Sequence, residues 1–244
     1  QGRVFLLDAT PDLRAQLEAL RDARRGVAGA VDRAPVAGIL LTHAHLGHYT
    51  GLGFFGFEAI HSQHLPVWCS PRLAAYLRAN GPWSQLVERG NVDLREVALG
   101  AEWQLEEGVW VTAFAVPHRD ELSDTLAYRL RGRRATVLYV PDTDGWEPWS
   151  PPLEERLDGV DVALLDGTFF SDGELGDRDV RAIGHPRIVE TLQRLGRRLR
   201  EDRLRVYFTH LNHSNPALDP DSAARKAIVD AGAAVLEDGQ EFPL

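Results

Sequence analysis

The stretch that decides the fold is THAHLGHYTGL, residues 42–52, which places three of the chain's nine histidines within six positions. The apolar residues 39–41 precede it and predict a strand, so the histidines follow the strand's carboxyl end. His43 and His45, at positions i and i+2 of a turn, can direct two imidazoles at one ion. His48 is predicted to lie just inside the next helix and to face a point nearby. We therefore predict a metal-binding turn here.

Four other predicted strands are also followed directly by a potential metal ligand, which is a histidine or an aspartate. These residues are His118 after Val109–Val116, Asp142 after Thr136–Val140, Asp166 after residues 160–165, and His210 after Arg205–Thr209. Residues at the carboxyl ends of strands that are distant in the chain can meet at one edge of a sheet. Imidazole and carboxylate ligands, without thiolates, suit zinc, iron or manganese.

A two-ion site is the arrangement that these residue types favour. A third imidazole, from His118, would complete a tri-histidine face, and Asp142 would bridge to a second ion held by His48 and His210. For any single one of these histidines, a hydrogen-bonded core or surface role is the favoured interpretation, but the cluster as a whole favours a metal site.

Composition and periodicity predict one layered α/β domain over residues 1–244. Hydrophobic residues make up 44% of the chain, which is enough for a sizeable core, and no repeat or linker divides it. Strand-like runs alternate with helical ones from end to end. Helices are predicted to begin at Thr10-Pro11, at Ser70-Pro71 with an end near Gly81, at His185-Pro186, and to span residues 221–231.

Charge and residue counts argue against several classes of function. The net charge of −9 comes without a long basic run, so there is no clear nucleic-acid-binding surface, and a small-molecule substrate is the predicted partner. No apolar run reaches the roughly 20 residues of a membrane span. The single cysteine, Cys69, excludes an intramolecular disulfide. The oligomeric state is unknown. The cytoplasm is the favoured compartment, and export is the alternative because the chain starts at Gln1 without a methionine.

The successive motifs resemble those of the metallo-β-lactamase superfamily, in order and over nearly the whole chain. THAHLGHYTGL is followed by VPH at 116–118, VPDTD at 140–144 and THLNHSNP at 209–216. DAT at 8–10 and GHP at 184–186 are similar to the branch of the pyrroloquinoline-quinone biosynthesis B protein. The resemblance implies an αββα sandwich of two mixed sheets flanked by helices. It also implies that the hairpin which usually precedes the strand ending at Asp8 is missing or trimmed.

The resemblance also implies a ligand set for one or two zinc ions, with iron or manganese as alternatives. It places His43, His45 and His118 on the first ion, Asp142 between the ions, and His48 and His210 on the second. Gly47 departs from the pattern, because the family has an aspartate ligand immediately before its third histidine. Either the second site is weak, or water or another side chain fills it, or the enzyme works with one metal. The quinone-biosynthesis B protein keeps that aspartate but replaces the first two histidines.

Hydrolysis is the favoured activity, with metal-activated water attacking a phosphodiester rather than an ester or amide bond. Asp166 and His185 are the predicted proton-donating pair, since they resemble the pair of the phosphodiesterase branch that includes the tRNA-processing endonucleases. His213, Trp146 and Phe169 are predicted to contact the substrate. Two alternatives stay open: a mononuclear iron-dependent oxidoreductase related to quinone-cofactor biosynthesis, and a non-enzymatic metal-binding domain.

Overall fold

The chain divides into two compact units. The computed structural model describes residues 3–23, 33–176, 179–201 and 203–244. The first unit contains Gln1–Ala98 and Asp120–Leu126, and the second contains Leu99–Arg119 and Ala127–Leu244. The single domain expected over residues 1–244 stays a prediction.

The first unit is built on a four-stranded sheet in which every neighbouring pair is parallel. In order across the sheet, the strands are β1 (Phe5–Leu7), β2 (Gly38–Leu40), β3 (Leu65–Cys69) and β4 (Val92–Glu96). All three residues of β2 are buried, as in a strand covered on both faces. The metal-binding turn predicted after residues 39–41 thus follows an inner strand.

The helices of the first unit pack their apolar residues against this sheet. They are α1 (Leu13–Ala23), α2 (Leu46–Tyr49), a 3-10 helix (Thr50–Phe55), α3 (Pro71–Ala79) and α4 (Trp83–Glu88). Leu13 of α1 and Leu73 of α3 share a buried cluster with Ile39 and Val67 of the strands. Burial of this apolar surface stabilises the unit and fixes where β2 delivers the residues that follow it.

The second unit is built on a seven-stranded mixed sheet with the order β11-β10-β9-β8-β7-β6-β5. Its strands are β5 (Glu102–Glu106), β6 (Val109–Val116), β7 (Thr125–Arg131), β8 (Thr136–Val140), β9 (Val162–Asp166), β10 (Arg205–Thr209) and β11 (Ala234–Val235). Strands β8, β9 and β10 are adjacent and parallel. Their carboxyl ends therefore bring Asp142, Asp166 and His210 to one edge, as predicted.

The described residues of the second unit form three α-helices: α5 (Leu153–Arg156), α6 (Ile188–Glu201) and α7 (Ala223–Asp230). Short 3-10 helices span Val180–Ala182 and Pro216–Leu218. Helix α6 buries Ile188 and Leu195 in the core that contains Leu138 and Phe208 of the sheet. Within the described ranges, no helix combines the length and the apolar character that crossing a membrane requires.

Element boundaries differ from the sequence prediction mainly where polar residues interrupt a pattern. The helix that begins after Ser70 ends at Ala79, and α4 follows as a separate helix that was not predicted. Helix α1 starts at Leu13, after a turn in which the Leu13 amide donates to the Thr10 carbonyl at 3.1 Å. Strand β5 was missed because its mostly polar residues lack an apolar run.

Candidate metal centre

The turn after β2 brings the imidazoles of the first unit together. His43 is 1% exposed, and its Nε2 lies 2.9 Å from Nδ1 of His45. The rings of His43 and His48 have centroids 4.1 Å apart. Helix α2 carries His48, so the prediction that this residue lies just inside the helix is confirmed. Because Nε2 of His43 and Nδ1 of His45 face each other, both can ligate one ion.

Asp8, at the end of β1, holds two of these imidazoles. Its buried carboxylate accepts from His48 Nδ1 at 2.7 Å and from the Thr42 hydroxyl at 3.0 Å. The Thr42 hydroxyl thus gives its only hydrogen to Asp8 and accepts from His43 Nδ1, 2.9 Å away. Both histidines carry their proton on Nδ1, which makes Nε2 the nitrogen with which each can bind a metal.

His45 is oriented from its other side. Its Nε2 lies 3.3 Å from Oε1 of Glu121, in the segment 120–126 that belongs to the same unit. The same segment is fixed to the turn by the Ala44 amide, which donates to the Ser123 hydroxyl at 3.0 Å. With Nε2 directed at a carboxylate, Nδ1 is the ligating nitrogen of His45.

In the second unit, Asp142 and Asp144 lie on opposite sides of the His118 ring. Nε2 of His118 is 3.2 Å from Oδ2 of Asp142, and Nδ1 is 2.8 Å from Oδ1 of Asp144. Asp142 is 3% exposed, whereas Asp144 reaches solvent. Asp144 therefore orients the ring, and Nε2 and the Asp142 carboxylate form a pair of metal-ligating groups.

Asp166 repeats, at the end of β9, the arrangement seen at Asp8. It accepts from the Thr168 hydroxyl at 2.8 Å, and that hydroxyl accepts from His210 Nδ1 at 2.9 Å. Its other oxygen accepts from His185 Nδ1 at 2.9 Å and from the Thr143 amide at 3.0 Å. The predicted Asp166–His185 pair is thus in direct hydrogen-bond contact. Ligand atoms of Asp166, His185 and His210 lie within 4.8 Å of one another.

Carboxylates control the protonation of the two buried histidines of this cluster. Burial lowers the pKa of His118, but hydrogen bonds and charges of Asp142 and Asp144 raise it, and the net direction is upward. For His185, burial again opposes the protonated form, while Asp166 and the charges of Asp142 and Asp144 raise the pKa above its usual value. The cluster therefore favours a positive charge, whether from protons or from a metal ion.

Comparison with known proteins agrees with this architecture. The model of the beta-lactamase superfamily domain matches residues 3–211. The chain belongs to the beta-lactamase superfamily. Its two sheets with flanking helices are the metallo-β-lactamase fold, so the predicted fold class is confirmed.

Within the superfamily, the chain is similar to coenzyme PQQ synthesis protein B (PqqB). The Bradyrhizobium diazoefficiens protein is 28% identical over 265 residues, with 98% of this chain and 84% of that protein covered. The structure of zinc-bound PqqB from Methylobacterium extorquens has a TM-score of 0.81 at 23% identity and covers 98% of this chain and 83% of that chain. The short form of human tRNase Z has a TM-score of 0.57 at 13% identity and covers 98% of this chain and 88% of its own. The predicted resemblance to the PqqB branch is confirmed.

At Gly47 this chain departs from the histidine motif expected for the superfamily. It lies in α2, and a Cβ built on it meets no described atom within 4 Å. Packing among the described residues therefore does not exclude an aspartate at this position.

The three residues predicted to contact substrate have different environments. Trp146 is 4% exposed, belongs to the core of the second unit and donates from Nε1 to Thr191 at 2.8 Å. Phe169 is also buried and packs edge-on against His185, with centroids 5.8 Å apart. His213 is exposed. Trp146 thus has a clear packing role, and substrate contact by these residues stays a prediction.

Several polar residues that orient the imidazoles were not predicted from the sequence. They are Asp8, Thr42, Glu121, Asp144 and Thr168. Asp8 carried a usable signal, because it follows a predicted strand as the other site residues do. The two threonines gave no such signal in the sequence. A hydroxyl can be identified as a link between two hydrogen-bonded groups only when both of its partners are known.

Proposed function

We propose that the chain is a metal-dependent hydrolase that binds zinc through the histidine cluster of the first unit and the histidine–aspartate cluster of the second. The ligands are His43, His45, His48, His118, Asp142 and His210. We combine the two clusters because the ligand pattern of the superfamily includes residues from both. The proposal does not rest on a distance between the clusters. Iron or manganese would suit the same donor set.

One observation carries this proposal: each of the five imidazoles has one nitrogen held by an oxygen. His43 and His210 have Nδ1 on a threonine hydroxyl, His48 and His118 have Nδ1 on an aspartate, and His45 has Nε2 on Glu121. Histidines that ligate metals show this pattern, because the second contact fixes the tautomer and the ring orientation. The donor set of imidazoles and carboxylate fits zinc.

The chain's own residues would divide the work of hydrolysis. Zinc, when bound, supplies a Lewis acid and lowers the pKa of a coordinated water. His185 is held by Asp166 through Nδ1, so its Nε2 can hand a proton to the leaving group. Phe169 packs against the His185 ring and limits its rotation. The resemblance of the Asp166–His185 pair to the proton-donating pair of the phosphodiesterase branch favours a phosphodiester substrate.

The first experiment is elemental analysis of protein purified without added metal. We expect about two zinc ions per chain, because the donors form two groups, and a drop to about one in His48→Ala. One iron ion per chain, unchanged in His48→Ala, would contradict a dinuclear zinc hydrolase.

Activity on bis(4-nitrophenyl) phosphate tests the reaction. His118→Ala should abolish turnover of this substrate. His185→Asn, with its zinc content intact, should lower kcat by about 10²–10⁴ on a phosphodiester with an alkoxide leaving group, but little on bis(4-nitrophenyl) phosphate, because 4-nitrophenolate leaves without a proton. His64→Asn is the matched control, since this imidazole is exposed and pairs with Asp93. Zinc-loaded protein that is inactive on phosphodiesters but active on esters or amides would support a hydrolase and exclude a phosphodiester substrate.

A second candidate is a mononuclear iron-dependent oxidoreductase that acts in quinone-cofactor biosynthesis. Gly47 favours it, because the second ion lacks an anionic ligand there. The similarity to coenzyme PQQ synthesis protein B gives the biosynthetic context. Metal identity separates the two candidates, since iron with oxygen-dependent turnover supports only this one.

A further inference from the structure

A cleft of about 310 Å³ lies in the second unit, outside the residues assigned to metal or proton transfer. Its walls include Pro117, Pro148, Trp149 and Pro151, and Arg156 contributes a cation. The volume is at the lower end of the range for small-molecule sites, which are typically apolar with a few polar groups. The cleft therefore has the size of a site for a compact ligand, with both apolar and polar groups in its walls.

Arg156 is a cation without a carboxylate partner among the described residues. Its guanidinium stacks over Phe114 at 4.2 Å, and its Nε is buried without a hydrogen-bond acceptor within the described part of the chain. The neighbouring Arg129 adds a second positive charge, because its guanidinium donates to the main-chain carbonyls of Arg156 and Asp158 at 3.2 and 2.8 Å. An anionic ligand in the cleft would be attracted by this positive charge.

The charges around Arg156 also favour an anionic ligand. Burial lowers the pKa of Arg156, and the nearby Arg129 lowers it further, against a smaller opposite effect of Glu155. Arg156 thus brings to the cleft a positive charge that Glu155 offsets only in part.

The wall of the cleft is fixed before any ligand binds. Trp149 donates from Nε1 to the Thr143 hydroxyl at 3.1 Å, and that hydroxyl donates to the Pro117 carbonyl at 2.9 Å. Trp149 also packs edge-on against Phe114, with centroids 5.9 Å apart. Such preorganisation reduces the entropy that a ligand must lose on binding.

We propose that this cleft binds a small aromatic carboxylate, with its anionic group on Arg156 and its ring against Trp149 and the prolines. The guanidinium matches a carboxylate because its planar donors can form two parallel hydrogen bonds. The accessible part of Trp149 and the prolines can contact an aromatic ring. The site does not depend on the proposed hydrolase activity, because it lies in the second unit and uses none of the metal ligands.

Calorimetric titration of the full chain with naphthalene-2-carboxylate and its neutral analogue naphthalene-2-carboxamide tests the proposal. We expect the carboxylate to bind at least about tenfold more tightly than the amide, and Arg156→Gln to weaken the carboxylate about tenfold without changing the amide. Arg133→Gln is the matched control, because this exposed arginine of the same unit pairs with Glu107. Binding should persist after chelator treatment, since the cleft needs no metal.

Three outcomes in which the ligand binds would overturn the proposal. They are equal affinity for carboxylate and amide, unchanged carboxylate affinity in folded Arg156→Gln, and loss of binding after chelation, which would assign the carboxylate to the metal centre. Absence of binding at millimolar ligand would have the same consequence. If Arg156→Gln does not fold, the comparison of carboxylate with amide in the unsubstituted protein decides alone.

Discussion

At the scale of single residues, two aspartates determine which nitrogen each of four histidines presents. Asp8 binds His48 directly, and Asp166 binds His185 directly. Each aspartate also reaches one further histidine through a threonine hydroxyl. The same arrangement thus occurs independently in both units. A buried carboxylate that accepts several hydrogen bonds is held in place, so it fixes the orientation of these imidazoles.

The Thr168 hydroxyl is predicted to be necessary for metal affinity. Thr168→Val removes the group that accepts from His210 Nδ1, and we expect the affinity of one ion to fall about 10–100-fold. Thr168→Ser keeps the hydroxyl and should stay close to the unsubstituted protein. Zinc affinity measured against a chromophoric chelator provides the test, and equal losses in both variants would assign the effect to packing instead.

Gly47→Asp is predicted to strengthen the second metal site. Apart from the adjoining residues and the helix backbone, no described atom lies within 4 Å of the Cβ that this change adds, so packing leaves room for the first carbon of the side chain. An added carboxylate supplies the anionic oxygen ligand that the superfamily pattern has at this position.

The measurement for Gly47→Asp is zinc content and affinity, with Gly47→Ala as the matched control. Alanine adds the Cβ and the helix propensity without the ligand, so it should leave zinc binding unchanged. A Gly47→Asp protein that folds but binds zinc no better would show that another group already completes the site.

At the scale of elements, helix α2 and the following 3-10 helix are fastened to the end of β1. The Ala9 amide donates to the His48 carbonyl at 2.7 Å, and the Gly51 amide donates to the Ala9 carbonyl at 2.9 Å. A Cβ on Gly51 would lie 2.3 Å from the Thr10 carbonyl oxygen. This close backbone approach holds His48 beside Asp8, and it requires glycine.

Gly51→Ala is therefore predicted to destabilise the protein by about 1–3 kcal/mol, because the added methyl group overpacks a backbone contact. Gly53→Ala is the matched control, since Gly53 lies in the same 3-10 helix and its Cβ would meet no described atom within 4 Å. Urea unfolding measures both variants. Equal stability of the two would mean that the backbone relaxes at no cost.

At the scale of the whole molecule, each unit has its own hydrophobic core and its own histidine cluster. A metal that binds only the folded chain stabilises it according to the ligand concentration relative to Kd. The gain in the free energy of unfolding on adding zinc should thus show whether one or both clusters bind the metal.

Zinc at about 100 times its Kd is predicted to stabilise the fold by about 2.7 kcal/mol, and EDTA should remove that gain. Hydrogen–deuterium exchange should slow on zinc binding in residues 42–49 and also in residues 140–144 and 209–213. Protection confined to one unit would contradict a centre that draws ligands from both. His64→Ala should leave the protection pattern unchanged, because this exposed imidazole lies outside both clusters.

Much of the fold could be predicted because it depends on local patterns. Strands β6, β8 and β10 have the predicted bounds, since their residues are mainly apolar over four or more positions. Strands with fewer apolar residues were missed, and helix starts shifted by a few residues, because polar residues near helix ends satisfy turns as well as helices.

By itself, the sequence determined the metallo-β-lactamase fold, because its successive motifs resemble those of the superfamily. It also determined the histidines and aspartates at the strand ends, because parallel strands deliver such residues to a common edge. Only the tertiary structure decided which nitrogen each imidazole presents. Asp8 and His48 are 40 positions apart, and Thr168 and His210 are 42 apart. It also decided that Asp8, His185 and His210 adopt a left-handed backbone, with φ of 64°, 67° and 62°. Such contacts and strained conformations exist only where the packed chain holds them, so no local pattern can encode them.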